Sequence, residues 1–227
     1  MSAPAPLSRS VEDYLKAIYQ LAERTGDAAT TEIAQLLDVA PASVTGMVKR
    51  MAEAALLEHV PYRGVRLTAQ GRHAALAVMR RHRILETYLI TKLGYDWSSV
   101  HPEAERLEHA VSAELIERMA FALGFPQYDP HGAPIPTPEG EIERPVYARL
   151  ADVDVGTRVA LRQVGADDDA ERLRYLKGIG LVPMALITVL DKQPFGGPIT
   201  VRVGERETRD QVIGAELAQT LMVEPRP

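Results

Sequence analysis

In the stretch His101-Pro102-Glu103-Ala104-Glu105-Arg106-Leu107-Glu108-His109, a helix turning about 100° per residue would place positions 101, 105, 108 and 109 within one arc of roughly 100°. Two imidazoles and two carboxylates then share a face, which is a donor set for a divalent metal ion. A solvated helix with exposed acids and a hydrogen-bonded surface histidine gives the same pattern. Pro102, favoured at the first helical position, leaves His101 at the cap. Upstream, Arg80-Arg81-His82-Arg83-Ile84-Leu85-Glu86 sets His82 and Glu86 four apart, again on one helical face. If the helices carrying these pairs pack together, they offer nitrogen and oxygen ligands and no sulfur, a set that suits Mn, Fe, Co or Zn.

The elements that must position those residues fit a chain of 227 residues, long enough for two or three small domains with a proper core. Cysteine is absent, which fits a reducing cytoplasm and excludes thiol chemistry and disulfides. The start of the chain is short and Ala/Pro-rich without an apolar run, and no stretch approaches a membrane span, so a cytoplasmic protein is expected. The net charge of −5 is unevenly divided: residues 1–90 carry 11 Lys/Arg against 9 Asp/Glu, and the remainder 15 against 22. The front is therefore the candidate nucleic-acid face, and the acidic remainder could concentrate cations.

Along the chain, Ser10-Val11-Glu12-Asp13 opens a first helix with an apolar face of Tyr14, Leu15, Ile18, Tyr19 and Leu21, ending at Thr25-Gly26-Asp27. Asp13 has two readings: the N3 acid of a capping box with Ser10, or a metal ligand tying this helix to the later site. A short helix from Thr30 to Leu37 and a turn at Asp38-Val39-Ala40 lead to a helix from Pro41 to Ala55 with a buried stripe of Val44, Val48 and Met51. Its other face carries Ala42, Ser43, Thr45, Gly46, Lys49 and Arg50, and with Pro41 at its start it suits a major groove, first turn near base edges and cations near phosphates. Leu56 to Val60 and Val65 to Thr68 read as a hairpin through Pro61-Tyr62-Arg63-Gly64, with Arg63 at the tip for a phosphate or the minor groove. This order is that of a winged helix-turn-helix; a generic three-helix domain is the plainer alternative.

A long helix from about Arg72 to Leu93 then carries the His82/Glu86 pair. A loop over 94–100 precedes the His101 to His109 helix, which extends through Met119 with more apolar surface than two helices can bury, so a homodimer is expected. From Phe125 to Pro145 the prolines allow neither helix nor inner strand. Beyond, Arg158–Val164, Leu186–Leu190 and Ile199–Val203 read as strands, with a brief helix from Asp168 to Leu176, and suggest a small antiparallel barrel.

These residues resemble the metal-dependent DtxR/MntR family of transcriptional regulators. The resemblance lies in Glu12-Asp13-Tyr14-Leu15-Lys16-Ala17-Ile18-Tyr19, in Val78-Met79-Arg80-Arg81-His82-Arg83, in Glu108-His109, in His131-Gly132-Ala133-Pro134-Ile135-Pro136, and in Tyr175-Leu176-Lys177-Gly178-Ile179-Gly180-Leu181. It implies a mainly α fold with small β elements: a winged helix-turn-helix DNA-binding domain (1–73), a helical metal-binding and dimerisation domain (74–125), a Pro-rich connector (126–145) and a C-terminal SH3-like β-barrel (146–227). It implies primary metal ligands at Asp13, Glu105, Glu108 and His109, ancillary ones at His82, Glu86 and His101, and further oxygen ligands at Asp168 and Glu171. Two departures from the iron-sensing members, Glu105 for a cysteine and Asp13 for a methionine, match manganese sensors. Lys16 replaces an acid of the short manganese sensors and puts their two-metal arrangement in doubt. Harder oxygen ligands favour Mn(II), then Fe(II), with Zn, Co, Ni or Cd able to bind in vitro. The function expected is a homodimeric, metal-activated repressor of metal-uptake genes on palindromic double-stranded DNA, and not an enzyme. A winged-helix regulator answering an organic ligand and a two-metal hydrolase are the alternatives; no HExxH or comparable motif supports the latter.

Overall fold

The computed structural model describes residues 7–165, 169–205 and 208–226. The chain divides into two compact units: Met1–His82 with Arg106–Leu115 and Pro136–Ile142, and Arg83–Glu105 with Ile116–Ile135 and Glu143–Pro227.

In the first unit, α1 (Arg9–Thr25), α2 (Thr30–Leu36) and α3 (Pro41–Glu53) precede the hairpin β1 (Leu57–Val60) and β2 (Gly64–Leu67). Tyr14, Leu15, Ile18, Tyr19 and Leu21 recur at helical spacing along α1 and are all buried against Ile33, Val44, Met51, Leu57 and Val65. Each fully buried Leu or Ile contributes roughly 1.5–3 kcal/mol of apolar burial. Gly26 stops α1 in a left-handed cap, its N–H donating to the Ala22 carbonyl at 2.8 Å. The hairpin pairs Leu57 with Leu67 and Val60 with Gly64, and an isolated bridge joins Ala28 to Val65. Gly64 has φ +110°, and a Cβ there would stand 2.1 Å from the Ala28 carbonyl oxygen, so only glycine lets the wing lie this close.

Three expectations for the helices up to Ala122 change. The first helix begins two residues early, because the Ser8 carbonyl accepts from Val11 N and Glu12 N at 2.9 and 3.1 Å. Ser10 and Asp13 therefore lie inside α1 and form no capping box. The long helix α4 (Ala69–Leu93) likewise starts before Arg72, with Thr68 Oγ1 accepting from Gly71 N at 3.0 Å. The helix expected from His101 through Met119 is two: α5 (His101–Leu107) and α6 (Ala113–Ala122). The Leu107 carbonyl takes Ala110 N and Val111 N, and Ser112 Oγ accepts from Leu115 N at 3.2 Å to open α6. Glu108 and His109 thus sit on a turn, not on a continuous helical face.

In the second unit, β3 (Ala148–Arg149), β4 (Arg158–Val164), β5 (Leu186–Lys192), β6 (Ile199–Val203), β7 (Arg209–Ile213) and β8 (Leu221–Pro225) form one antiparallel sheet in the order β3-β8-β4-β5-β6-β7. Alternate residues Val159 and Leu161, Ile187 and Val189, Ile199, Val201 and Val203 bury one face. They pack with Leu173 and Leu176 of α7 (Ala170–Gly178) and Ala218 of α8 (Ala215–Gln219). Asp169 caps α7 by accepting from Glu171 N and Arg172 N, so the helix starts at Ala170 rather than Asp168. Residues 126–145 contain no helix or strand, only a bridge between Tyr128 and Pro134. Within this unit Val164 N donates to the His131 carbonyl at 2.9 Å. Gly132, at φ +90°, brings its backbone so near Arg162 that a Cβ would lie 1.9 Å from that carbonyl oxygen.

Candidate metal centre and nucleic-acid face

In the first unit the side chains of α1 meet the turn after α5. Asp13, Glu108 and His109 each bring a donor atom within 4.8 Å of the others. Glu108 is fully buried. His109 Nδ1 stands 2.7 Å from Glu12 Oε2, and a carboxylate accepts only, so Nδ1 carries the proton. The other nitrogen, Nε2, is 2.9 Å from Asp13 Oδ1 and 3.4 Å from Glu108 Oε1, yet it is buried and makes no hydrogen bond. In that tautomer Nε2 is an unprotonated nitrogen beside two carboxylate oxygens, a donor set that fits a divalent ion.

Two basic groups share Glu108. Lys16 Nζ lies 2.9 Å from Oε1, and His82 Nδ1 lies 2.6 Å from Oε2. Burial pushes the Glu108 carboxyl up, but the His82 hydrogen bond and the Lys16 charge outweigh it and hold the group below the usual carboxylate range. Arg81 completes the frame, with Nη2 on Glu12 Oε1 at 2.6 Å and Nε donating to the Glu108 carbonyl at 2.8 Å.

In the second unit, Glu86 is fully buried on α4, and its Oε1 lies 3.2 Å from His101 Nδ1. His101 Nε2 in turn lies 3.5 Å from Glu105 Oε1. Glu86, Asp129 and His131, all buried, form a further group with donor atoms within 4.8 Å of one another. Of the sequence candidates, Asp13, Glu108, His109 and His82 therefore meet in one unit, and Glu86, His101 and Glu105 in the other. Glu171 is exposed in the first turn of α7 and belongs to no ligand group among the described residues; Asp168 lies outside them.

Sequence reasoning passed over Glu12, Arg81, Asp129 and His131 as site residues. A first-turn acid such as Glu12 reads as a helix-dipole partner. Asp129 and His131 have no spacing that ties them to Glu86; their place in a polar, proline-rich run and the resemblance carried by His131 to Pro136 were the signals available.

On α3, Pro41, Ala42, Ser43, Thr45, Gly46, Lys49 and Arg50 are all exposed, opposite buried Val44, Val48 and Met51. Arg63 at the wing is held by Asp27, Nε to Oδ2 at 2.9 Å, and Arg66 reaches Oδ1 of the same carboxylate at 2.7 Å. Tyr62, beside it, is fully exposed with φ +64°. Among the described residues no helix is long and apolar enough to cross a membrane.

Three family models match successive parts of the chain: the iron dependent repressor N-terminal DNA binding domain over residues 6–65, the iron dependent repressor metal binding and dimerisation domain over 68–137, and the FeoA domain over 148–225. The iron-dependent repressor IdeR of Mycobacterium leprae is 33% identical over 226 residues, 95% of this chain and 96% of that one. A solved manganese-dependent transcriptional repressor in complex with manganese is 37% identical, covers 95% of this chain and all of its own, and superposes with a TM-score of 0.87. The structure of ScaR with bound Cd2+ is 32% identical, covers 95% of this chain and 99% of its own, and gives a TM-score of 0.80.

Proposed function

The chain belongs to the DtxR/MntR family of metal-dependent DNA-binding repressors, and we propose that Mn(II), with Fe(II) second, is the ion that switches it. Asp13, Glu108 and His109 are its protein ligands. Glu105 is added to them on the family resemblance alone. His82, Glu86 and His101 are the ancillary ligands, and Asp168 and Glu171 remain candidates from resemblance alone. The observation that carries the reading is the His109 imidazole, anchored by Glu12 so that Nε2 addresses the Asp13 and Glu108 oxygens.

A bound divalent ion supplies the positive charge that those converging carboxylates favour. The chain's own part is positional. Asp13 lies on α1, whose apolar face packs in the same core as Val44, Val48 and Met51 of α3. Fixing Asp13 against the turn that bears Glu108 and His109 therefore restrains the core on which α3 rests. In a homodimer on a palindromic operator, that restraint sets the spacing of two recognition helices at about one DNA turn or a multiple of it. The exposed Pro41, Ala42, Ser43, Thr45 and Gly46 face base edges, and Lys49, Arg50 and Arg63 face phosphates. Oxygen-rich ligands without thiolate favour Mn(II), and a relative named for iron supports Fe(II) as the second candidate. The regulated genes are those of metal uptake, the location is the cytoplasm, and the domains divide at about residues 73, 125 and 145.

One rival has a physical foothold. A groove of about 390 Å³ between the start of α1 and α3, lined by Val11, Met47 and Met51 among others, could admit an organic effector. The deciding experiment is operator affinity at fixed salt after exhaustive chelation, then with Mn(II) or Fe(II) added without oxygen. A gain of tenfold or more that Asp13→Ala removes, fold intact, supports the metal reading. Full affinity in the chelated protein overturns it in favour of the groove.

A further inference from the structure

We propose that two adjoining hollows between α1 and α3 form one site for a carboxylate with an apolar tail, and that this anion competes with the operator for Arg50. The inference goes beyond the metal-dependent reading: the site acts beside that switch, through residues that ligate no ion.

One hollow, of about 390 Å³, is walled by Leu7, Val11, Met51, Ala54 and Leu56. The other, of about 620 Å³, is more polar and is bordered by Tyr14 and Ser43. Ser10, Met47 and Arg50 line both, so the two are continuous along α3. Each volume lies in the range that small-molecule sites occupy. Met47 and Met51 stand four apart on α3, and their unbranched thioethers make a wall that adapts to a flexible chain. An apolar half joined to a polar half matches an amphiphile.

Arg50, at the junction, sets the sign of the ligand. It makes no ion pair among the described residues, and its one hydrogen bond there runs from Nη2 to Met47 Sδ at 3.6 Å. A guanidinium with no acid beside it is open to a carboxylate, which it can hold through two parallel N–H donors. Tyr14 offers the second polar contact. Its side chain borders the polar hollow and is 6% exposed, and its hydroxyl makes no hydrogen bond among the described residues. Burial pushes that hydroxyl up against the opposing effect of the Arg50 charge, so it keeps its proton and can donate it to an anion. One cation and one hydroxyl match a single negative charge, which selects a monocarboxylate over a phosphate monoester. Ser43 and Arg50 also belong to the exposed face of α3. A carboxylate held there takes the guanidinium away from operator phosphates.

The test adds decanoate, below its micellar concentration, to the full-length protein, both chelated and loaded with Mn(II). Calorimetry reads decanoate binding, and operator affinity is measured at fixed salt. Saturating decanoate is expected to weaken operator affinity at least tenfold, whereas acetate, which lacks the tail, and decanol, which lacks the charge, change it less than twofold. Arg50→Gln should weaken decanoate binding at least tenfold and Tyr14→Phe at least threefold. Ala54→Phe fills the apolar hollow and should block decanoate while operator affinity stays within twofold of wild type. Wild-type protein that binds no decanoate, or binds it without losing operator, overturns the proposal, as does an equal effect of decanol or decanoate binding unchanged in all three variants. Should the variants unfold, methionine methyl NMR of the wild type decides: decanoate that shifts the Met47 and Met51 methyls supports the site, and shifts confined to other methionines overturn it. Because binding is also read in the chelated protein, indifference to Mn(II) overturns the metal switch alone, and loss of decanoate binding with Mn(II) activation intact overturns this inference alone.

Discussion

Replacing Lys16 by methionine should tighten Mn(II) binding. The Lys16 ammonium lies 2.9 Å from Glu108 Oε1, with a side chain only 12% exposed. An ion held by the same oxygen at about 2 Å would stand at most about 5 Å from the ammonium. A double and a single positive charge at that distance repel by about 1.7 kcal/mol at the dielectric of water and about 6.6 kcal/mol at an effective dielectric of 20. Lys16 can swing its head toward solvent, so the lower figure applies, and it corresponds to a gain of roughly fifteenfold in affinity. Methionine keeps the apolar stem of the side chain and removes the charge. Competition with a fluorescent chelator at pH 8, with His109→Ala as the control without the primary ion, reads the effect. Removing Lys16 also removes one of the groups that hold the Glu108 carboxyl down, so that carboxyl rises. The gain should therefore shrink as pH falls toward the Glu108 titration. Unchanged or weaker Mn(II) affinity in a folded Lys16→Met protein would refute Glu108 as a ligand in this geometry.

Lys49→Ala on α3 should weaken operator and non-operator binding alike and lower the steepness of the log affinity against log salt plot by about one; an unchanged slope would remove Lys49 from the phosphate contacts. Gly132→Ala must place a Cβ 1.9 Å from the Arg162 oxygen at φ +90°, and the resulting strain should cost roughly 2–4 kcal/mol. A thermal unfolding midpoint equal to wild type would contradict that close approach. The Asp96 carboxyl is held far below its usual value, first by the hydrogen bond from Lys177 and then by those from Ser98. A folded-state value that is depressed contributes stability above the unfolded carboxylate value and loses it as pH falls through the folded one. Lys177→Ala should move the Asp96 titration seen by carbon NMR back toward the ordinary range, and because the pair is half exposed the melting temperature should barely change.

What the sequence made legible follows the strength of its periodicities. α1 and α3 could be read from apolar residues at helical spacing, because each packs one stripe on a core and exposes the other. The break between α5 and α6 could not, since Glu108-His109-Ala110-Val111 continues as a plausible helix and only Ser112 hints at a new cap. β7 was missed because Arg209, Asp210 and Gln211 on an edge strand carry no apolar alternation. β3 spans two residues, too short for any pattern. At the site, the pair His82 and Glu86 was visible because one helix sets its spacing, whereas the meeting of Glu86 with His131 is made by tertiary packing across 45 positions and leaves no periodic trace.

The histidines differ in how their two ring nitrogens are engaged. His101 sets Nδ1 3.2 Å from Glu86 Oε1 and Nε2 3.5 Å from Glu105 Oε1. His109 and His131 differ. Each commits one nitrogen as a donor to an atom that can only accept, Glu12 Oε2 or the Trp97 carbonyl. Each leaves the other nitrogen buried near carboxylate oxygen without hydrogen-bond geometry. Under the proposed metal switch, His109 Nε2 is the nitrogen that would meet the ion, and the Glu12 contact would then support the orientation of that ligating histidine.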